Sequence, residues 1–338
     1  MHQLTLPALR ADSALGFLAA LGILELTTHT LDPATGLSWH GPAQPAILHT
    51  THPLTHDQLA HHLQQQLPND PENEPLPLAP GILSRTRPNR SSPNEPLRIP
   101  AHEAHHQLAH YTQTERDTAA PQARWFTALT NQCHTDEKNG HHYTTITPLF
   151  APSGRMTLRQ NWAKAAAHCT DDPHHLKAAL TAWARVPDYA GASLDHHSHG
   201  PAHLHTDGQP AQHGVPGATW LALHAFAHFR LTGNGHHSNT TAWTTTPQGP
   251  TLTWPTWHPP LRTTAITTLL EHPLLHHPNP PHTHLTNLGI TAIYTTHRTQ
   301  LSKSQGPLQP AHRTWPPTAS EPQAHTETPD RTEGKCRR

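Results

Sequence analysis

The sequence predicts an α+β protein that opens with a ferredoxin-like or RRM-like β-α-β-β unit. Residues 14–28 carry apolar side chains at helical spacing, and Asp12 and Ser13 just before them are favourable N-cap residues. Short extended patterns flank this helix at residues 3–9, 36–40 and 45–49. Helical spacing then predominates over residues 101–301. The chain is therefore expected to join a small sheet-and-helix unit to a mainly helical region with a few strands.

Composition divides the chain into four segments. They are the β-α-β-β unit at residues 1–66, a Pro-rich loop at 67–100, the mainly helical α+β region packed with the first unit at 101–301, and a disordered tail at 302–338. The loop is dense in Pro, Asn and Glu, and the tail is rich in Pro, Thr, Gln and Glu with few apolar residues. The sequence has no fixed-period repeat.

Individual elements follow from periodicity and capping signals. We expect helices at residues 102–117, 120–132, 155–169, 175–186, 216–231 and 264–272. We expect strands at residues 143–146 and 288–295, and an extended segment around Trp254 and Trp257. The helix over residues 216–231 has the clearest signals, because Pro216 lies in its first turn and Gly233 follows its end.

Histidine and proline are unusually frequent, with 37 of each among 338 residues, whereas charged residues make up only 13%. The codons of His, Pro, Thr and Ala can all be rich in C, so a C-biased gene would accumulate these residues wherever selection is weak. His-His pairs recur along the chain, at residues 61–62, 105–106, 141–142, 174–175, 236–237 and 276–277. Most histidines are therefore interpreted as surface residues and not as ligands.

Charge and cysteine content narrow the function classes. The net charge is −1 with histidine neutral, so charge alone gives no strong attraction to polyanions. Cys133, Cys169 and Cys336 have no CxxC spacing, which fits a reducing cytoplasm better than a disulfide framework. The apolar run at residues 14–26 is too short to span a bilayer and lacks the flanks of a signal peptide. We expect a cytoplasmic protein without membrane contact.

The stretch LDHHSHGPAHLHTDG at residues 194–208 suggests a metal site as an alternative. Imidazole and carboxylate groups bind catalytic metals, and an Asp-His-His triplet occurs in metal-dependent phosphoesterases. A metal-dependent phosphohydrolase or nuclease would use Asp195, His196, His197 and His199 as ligands, with Asp207 as an extra one. Those phosphoesterases need further aspartates on earlier strand ends, and no Asp-x-Asp occurs there. The many other His-His pairs make composition the simpler explanation.

Three basic clusters are candidate phosphate contacts. They are Arg85, Arg87 and Arg90 in the Pro-rich loop, Arg155 and Arg159 at a helix start after a Pro-Ser-Gly turn, and Arg298 and Lys303 after the last predicted strand. Such cations neutralise phosphates, and a helix N-terminus adds the positive end of its dipole. The alternative for each cluster is a solvated basic surface. The second cluster is not a Walker A loop, because no Gly-Lys-Ser/Thr follows it.

Four stretches together resemble a known family. They are LPALRADSALGFLAALGIL (6–24), TPLFAPSGRMTLR (147–159), YAGASLD (189–195) with GVPGATWLAL (214–223), and LGITAIY (288–294) leading to KSQGPL (303–308). They resemble the actinobacterial CRISPR-associated proteins of type I-G systems, formerly called I-U, including the accessory or large-subunit-like members described as an extension of the helicase-nuclease effector. Several subunits share the first stretch loosely, so it indicates the system better than the subunit.

The resemblance implies a cytoplasmic antiviral-defence protein that works with a CRISPR RNA-guided complex. Its partners would be effector subunits and CRISPR RNA or target DNA. The resemblance carries over no catalytic residues, so we expect an accessory subunit that is not an enzyme and has no cofactor. A divalent metal is expected only under the hydrolase alternative. A third interpretation, a decaying gene whose product merely folds, is also consistent with the low charge content.

Overall fold

The computed structural model describes residues 1–84, 97–118, 121–138, 140–151, 156–199, 212–277, 279–301 and 304–317. Its helices are Ala14–Thr30 (α1), His56–Gln64 (α2), Ala101–Thr118 (α3), Gln122–Leu129 (α4), Leu158–Asp171 (α5), His174–Thr181 (α6), Pro216–His224 (α7), Thr263–Leu270 (α8) and His282–Asn287 (α9). Its strands are His2–Arg10 (β1), Gly36–Trp39 (β2), Pro45–Thr50 (β3), Thr130–Lys138 (β4), His141–Ile146 (β5), Val186–Pro187 (β6), His213–Gly214 (β7), Leu231–Gly233 (β8), Ser238–Thr240 (β9), Trp243–Thr246 (β10), Gly249–Trp257 (β11), Ile290–Leu301 (β12), Ser304–Leu308 (β13) and His312–Trp315 (β14). The chain is α+β with small antiparallel sheets, as the sequence predicts.

The first four elements follow the expected order β-α-β-β. Strands β1, β3 and β2 form an antiparallel sheet in the order β1-β3-β2. Helix α1 begins where Ser13 accepts a hydrogen bond from the Gly16 N–H at 3.1 Å, so the predicted N-cap is used. Every residue of α1 from Ala14 to Thr27 is buried, because the helix is covered on all sides.

Helix α1 packs against both the sheet region and α7. The backbone of Gly22 lies so close to the Leu221 carbonyl that a methyl group at Gly22 would overlap it. On another side of α1, the Phe17 ring stacks on Trp39 and Trp254 at centroid distances of 5.6 and 5.7 Å. Because α1 is central, the N-terminal unit shares one core with the rest of the described chain.

A second antiparallel sheet has the strand order β10-β11-β12-β13, and β14 pairs with β12. Strand β11 alternates in the usual period of two, with Leu252 and Trp254 on one face and Thr251 and Thr253 on the other. The first face joins the core.

The two sheets are connected through their tryptophans and one bridge. Leu37 and Leu261 exchange backbone hydrogen bonds of 2.9 and 3.0 Å. The Trp257 indole donates to the Leu37 carbonyl at 2.7 Å, and the Trp254 indole donates to the Ala11 carbonyl at 3.0 Å. Residues far apart in sequence therefore complete each other's hydrogen bonds.

Several predicted boundaries differ from the structure. The helix expected at 120–132 ends at Leu129, and the chain continues as β4, which is held by the register with β5 and has no apolar periodicity of its own. The helix expected at 175–186 ends at Thr181. The Pro-rich loop has no helix or strand over its described parts, 67–84 and 97–100, apart from an isolated bridge between Pro100 and Tyr143, yet it buries Leu76, Ile82 and Leu83 completely, so it packs into the core.

The tail predicted to be disordered from residue 302 contains two strands, β13 and β14. Their few apolar residues sit where they become buried: Leu308 is 0% exposed and Trp315 is 8% exposed. Pairing with β12 supplies the hydrogen bonds that the local composition does not suggest. Residues 302–303 and 318–338 lie outside the described residues. In the described part of the chain, no helix combines the length and the hydropathy needed to cross a membrane.

Candidate functional site

Arg298 on β12 joins three distant segments of the chain. Its side chain is fully buried, and Nη2 donates to the Leu149 carbonyl at 2.7 Å. Nε donates to the Pro148 carbonyl, and Nη1 donates to the carbonyls of Ser193 and Gly306, each at 3.1 Å. We call Arg298 with these four carbonyls the Arg298 junction.

The hydrogen-bond acceptors around Arg298 are neutral carbonyl oxygens and not carboxylates. Burial lowers the pKa of its guanidinium to about 9, so the group still carries its proton at neutral pH. The carbonyl dipoles and the Trp243 ring, whose centroid lies 5.8 Å from Cζ, stabilise the charge. Because no part of the side chain reaches the surface, Arg298 is removed from the predicted phosphate contacts.

An unusual backbone turn supplies the Ser193 carbonyl. Gly191, Ala192 and Ser193 have φ values of 60°, 55° and 58°, so three successive residues are left-handed. A residue with a Cβ atom pays roughly 1–2 kcal/mol for this conformation, and left-handed residues normally occur singly. The fold therefore holds this turn against a local preference, and the turn directs one carbonyl to Arg298.

Asp195, the carboxylate in the predicted metal cluster, is 2% exposed. Its Oδ2 lies 2.7 Å from Nη1 of Arg185, which also donates to the His213 carbonyl. Its Oδ1 accepts a hydrogen bond from the His197 N–H at 3.0 Å. Asp195 thus starts the short 3-10 turn His196–His199 and pairs with a guanidinium.

The predicted histidine ligands do not converge on one point among the described side chains. His196 Nδ1 lies 3.9 Å from Asp195 Oδ1, and its ring centroid lies 3.8 Å from that of His197, which is exposed. Burial and the neighbouring His197 lower the pKa of His196. The side chain of His199 and all of Asp207 lie outside the described residues. Within the described part, no group of three or more His, Cys, Asp or Glu residues is arranged to hold a metal ion.

The predicted basic contacts are divided between described and undescribed segments. Outside the described residues lie Arg85, Arg87, Arg90, Arg155 and Lys303. Arg159 is in the first turn of α5, where it donates to the Glu72 carbonyl and lies 3.7 Å from the Glu72 carboxylate. Its contacts attach α5 to the Pro-rich loop, and its side chain is only 14% exposed.

A second buried polar cluster was not singled out from the sequence. Glu25 of α1 is fully buried and receives two hydrogen bonds from Arg124, at 2.7 and 2.8 Å. His29 and His228 lie 3.1 and 3.4 Å from its carboxylate. Burial alone would raise the pKa of Glu25, but His29, His228 and Arg124 outweigh it and hold this pKa well below the usual range. The available signal was a lone acidic residue inside an otherwise apolar helix.

Three of the four resembling stretches meet at the Arg298 junction. Pro148 and Leu149 belong to the second stretch, Ser193 to the third and Gly306 to the fourth. The close approach of Gly22 to Leu221 links the first stretch to the third. The stretches thus form one connected part of the core.

Comparison with known proteins adds no family to these observations. No protein-family model matches the chain, and no curated protein is significantly similar to it. Function is therefore inferred from the residues and their arrangement.

Proposed function

We propose that the chain is an accessory subunit of a type I-G CRISPR antiviral-defence complex, and that it contacts CRISPR RNA, target DNA or a partner effector subunit. The observation that carries the proposal is the convergence of the resembling stretches on the Arg298 junction and on the α1–α7 contact. Segments that pack on one another form one structural unit, so a resemblance carried by these segments supports a shared core. We take the β-α-β-β opening as RRM-like within the same proposal.

The structural role of these resembling segments favours a subunit over an enzyme. Arg298 binds backbone carbonyls, and Asp195 binds Arg185, so both charged groups are already paired with protein. A metal at Asp195 would have to displace a guanidinium at 2.7 Å. The hydrolase alternative therefore has less support than the accessory role.

The nucleic-acid contacts proposed for this subunit are Arg85, Arg87, Arg90, Arg155 and Lys303. Arg159 is a secondary candidate, because it already binds Glu72. Arg155 closely follows Leu149 and Lys303 closely precedes Gly306 in the chain. Leu149 and Gly306, the described residues nearest to them at the junction, both bind Arg298.

Assembly is tested by co-expressing the full chain with the backbone and helicase-nuclease subunits of a type I-G system and purifying through a tag on the backbone subunit. The proposal expects the chain to co-elute in a fixed ratio and to remain after nuclease treatment if the contact is with protein. Absence of the chain from the purified complex, with the chain itself folded, contradicts the accessory role.

Nucleic-acid contact is tested with a triple variant, Arg85→Gln, Arg87→Gln and Arg90→Gln, in fluorescence anisotropy with guide RNA and target DNA. A matched control replaces three cations that the structure shows to be exposed, Arg116, Lys164 and Arg262. Each lost phosphate contact should lower the slope of log affinity against log salt by about 0.9. Equal losses in both triple variants would mean that only net charge matters, and protein contact would remain as the role.

Metal analysis distinguishes the accessory role from the hydrolase alternative. After chelation and refilling, the accessory role expects sub-stoichiometric metal that is unchanged by His196→Gln with His197→Gln. One metal ion per chain that both substitutions remove would favour the hydrolase.

A further inference from the structure

A groove lined mainly by threonine and histidine residues lies on the outer face of the second sheet. Its volume is about 540 Å³, and the turn Pro273–His276 with His277 forms one wall. The groove is lined by Thr244, Thr246, Gln248, Thr251, Thr253, Leu275, His276, His277, Thr295, Thr296, His297, His312 and Thr314. We call this the threonine-histidine groove.

The lining follows from the sheet register. Thr251 pairs with Thr244 on one side and with His297 on the other, which gives one cross-strand row. Thr253 pairs with Thr295, and Thr295 pairs with His312, which gives a second row. Directly opposed residues have their Cβ atoms about 4.5–5.5 Å apart, so each row presents adjacent hydroxyl and imidazole groups.

The floor of the groove is enclosed although its rim is open. Thr251 and Thr253 are 8% and 4% exposed, whereas His276 and His312 on the walls are exposed. A volume of this size lies in the range of small-molecule sites, roughly 300–1,000 Å³. The sheet face is thus a recess that can partly surround a ligand.

The charges around the groove are complementary to an anion. Its titratable groups are four imidazoles, from β12 (His297), β14 (His312) and the turn wall (His276 and His277). Strands β10 and β11 contribute only uncharged groups, and no carboxylate is among the described residues of the lining. The adjoining cavity contains Glu271, but Arg230 binds that carboxylate through both ends of its guanidinium.

We propose that the threonine-histidine groove is a binding site for phosphate esters, either of a free nucleotide or of a single-stranded nucleic acid. Threonine hydroxyls donate hydrogen bonds to phosphate oxygens, and imidazoles that take up a proton on binding supply the positive charge. The rings in the described lining are imidazoles, which can meet a phosphate as cations, and no Phe, Tyr or Trp there offers a larger face for stacking on a base. The proposal goes beyond the accessory role and does not depend on it.

Proton uptake gives the site a signature that a solvated sheet face lacks. Desolvation of the ring lowers the pKa of His276 although the residue is partly exposed, so the empty groove disfavours its imidazolium form. An anion in the groove stabilises the imidazolium form. The affinity for single-stranded RNA, whose phosphodiesters keep their charge over this interval, should therefore be higher at pH 6 than at pH 8, by roughly tenfold.

The test measures binding of inorganic phosphate, a nucleoside monophosphate and a single-stranded RNA of about ten nucleotides to the full chain at pH 6 and pH 8 by calorimetry. The variant His276→Gln with His312→Gln removes two groove imidazoles, including the one whose pKa the protein lowers. The control, His236→Gln with His284→Gln, removes two exposed imidazoles elsewhere. We expect the groove variant to lose the pH dependence and most of its affinity, and the control to retain both.

The probes distinguish the two sources of phosphate. RNA that binds far more tightly than the mononucleotide identifies a nucleic-acid strand, and equal affinities identify a free nucleotide. No binding of any probe at pH 6, or binding that is unchanged in the folded groove variant, overturns the proposal. Should the double variant lose its cooperative thermal transition, His312→Gln alone, at an exposed position, serves as the second variant.

Discussion

Arg298 acts through the number of directions in which its guanidinium donates. The guanidinium donates hydrogen bonds to four carbonyls from three segments. A lysine ammonium cannot reach all four, because its three N–H donors are on a single nitrogen atom. Each carbonyl left unpaired in a buried site costs about 1–3 kcal/mol. One side chain therefore fixes the relative positions of three loops.

Replacing Arg298 by Met should lower the free energy of unfolding by at least about 3 kcal/mol, and Arg298→Lys should recover only part of this loss. Urea denaturation measures both. Arg262→Met, at an exposed position, is the control and should change stability by less than about 0.5 kcal/mol. A loss of similar size in the control would mean that Arg298 has no special structural role.

The left-handed turn predicts stability changes of opposite sign for substitutions at the adjacent residues Gly191 and Ala192. Ala192→Gly removes the Cβ atom from a φ of 55° and should stabilise the protein by up to about 1 kcal/mol. Gly191→Ala should destabilise it by more than about 1 kcal/mol, because its φ is 60° and the new methyl group would lie 3.2 Å from Thr219 Oγ1. Melting temperatures compare the two, and shifts of the same sign would contradict the strain argument.

For single residues, the sequence predicts which charged side chains matter but not whether they are buried or what they bind. The sequence predicts both Asp195 and Arg298 as candidate site residues, because each is a charged residue in or beside an unusual motif. Arg298 binds the carbonyls of Leu149 and Ser193, which are more than 100 residues away, and Asp195 binds Arg185 from a separate element, so their burial could not be deduced locally. Arg298 shares the parity of Tyr294 and Thr296 on β12, and all three are buried, but the predicted strand ends at residue 295, so the sequence does not extend this face to Arg298.

At the scale of elements, α1 shows which properties of a helix can be predicted from hydrophobic periodicity. Its start, its cap and its helical character follow from residues 12–28 alone. Its environment does not, because a helix that is apolar all round has no preferred face to orient it. Strand β4 cannot be predicted from its own residues, because they carry no strand pattern. It is stabilised by pairing with β5.

The α1–α7 contact makes Gly22 the most restrictive position of the helix. Alanine normally stabilises a helix interior by about 1 kcal/mol relative to glycine. At Gly22 the methyl group would overlap the Leu221 carbonyl, so Gly22→Ala should destabilise the protein by about 3 kcal/mol or more. Gly41→Ala is the control, because its nearest neighbour is 3.8 Å away. Chemical denaturation that ranks Gly22→Ala as the milder change would disprove the close packing.

At the scale of the whole molecule, buried histidines set the response to acid. His224 is fully buried among Trp125, Trp162 and Trp220, and burial lowers its pKa to about 4. Burial also lowers the pKa of His228 to about 4. Between pH 6.5 and pH 4 the unfolded chain binds these protons and the folded chain does not, so stability falls as the pH falls.

Linkage gives this effect a size for His224. A pKa near 4 in the folded protein and 6.5 in the unfolded chain predicts a loss of about 2 kcal/mol between pH 7 and pH 5. Unfolding curves at both pH values measure the loss. The variant His224→Leu should show a loss smaller by about that amount, whatever its stability at pH 7. An unchanged difference would show that His224 takes up its proton without unfolding.

The central position of α1 also has a consequence for the order in which the protein is made. Its apolar surface leaves the ribosome long before Trp254 and Leu221, which cover it in the folded protein. The nascent N-terminal segment must therefore be kept from aggregating until more than half of the chain has been synthesised. Chaperone demand during translation, more than the stability of the finished fold, should limit how much of this protein a cell can produce.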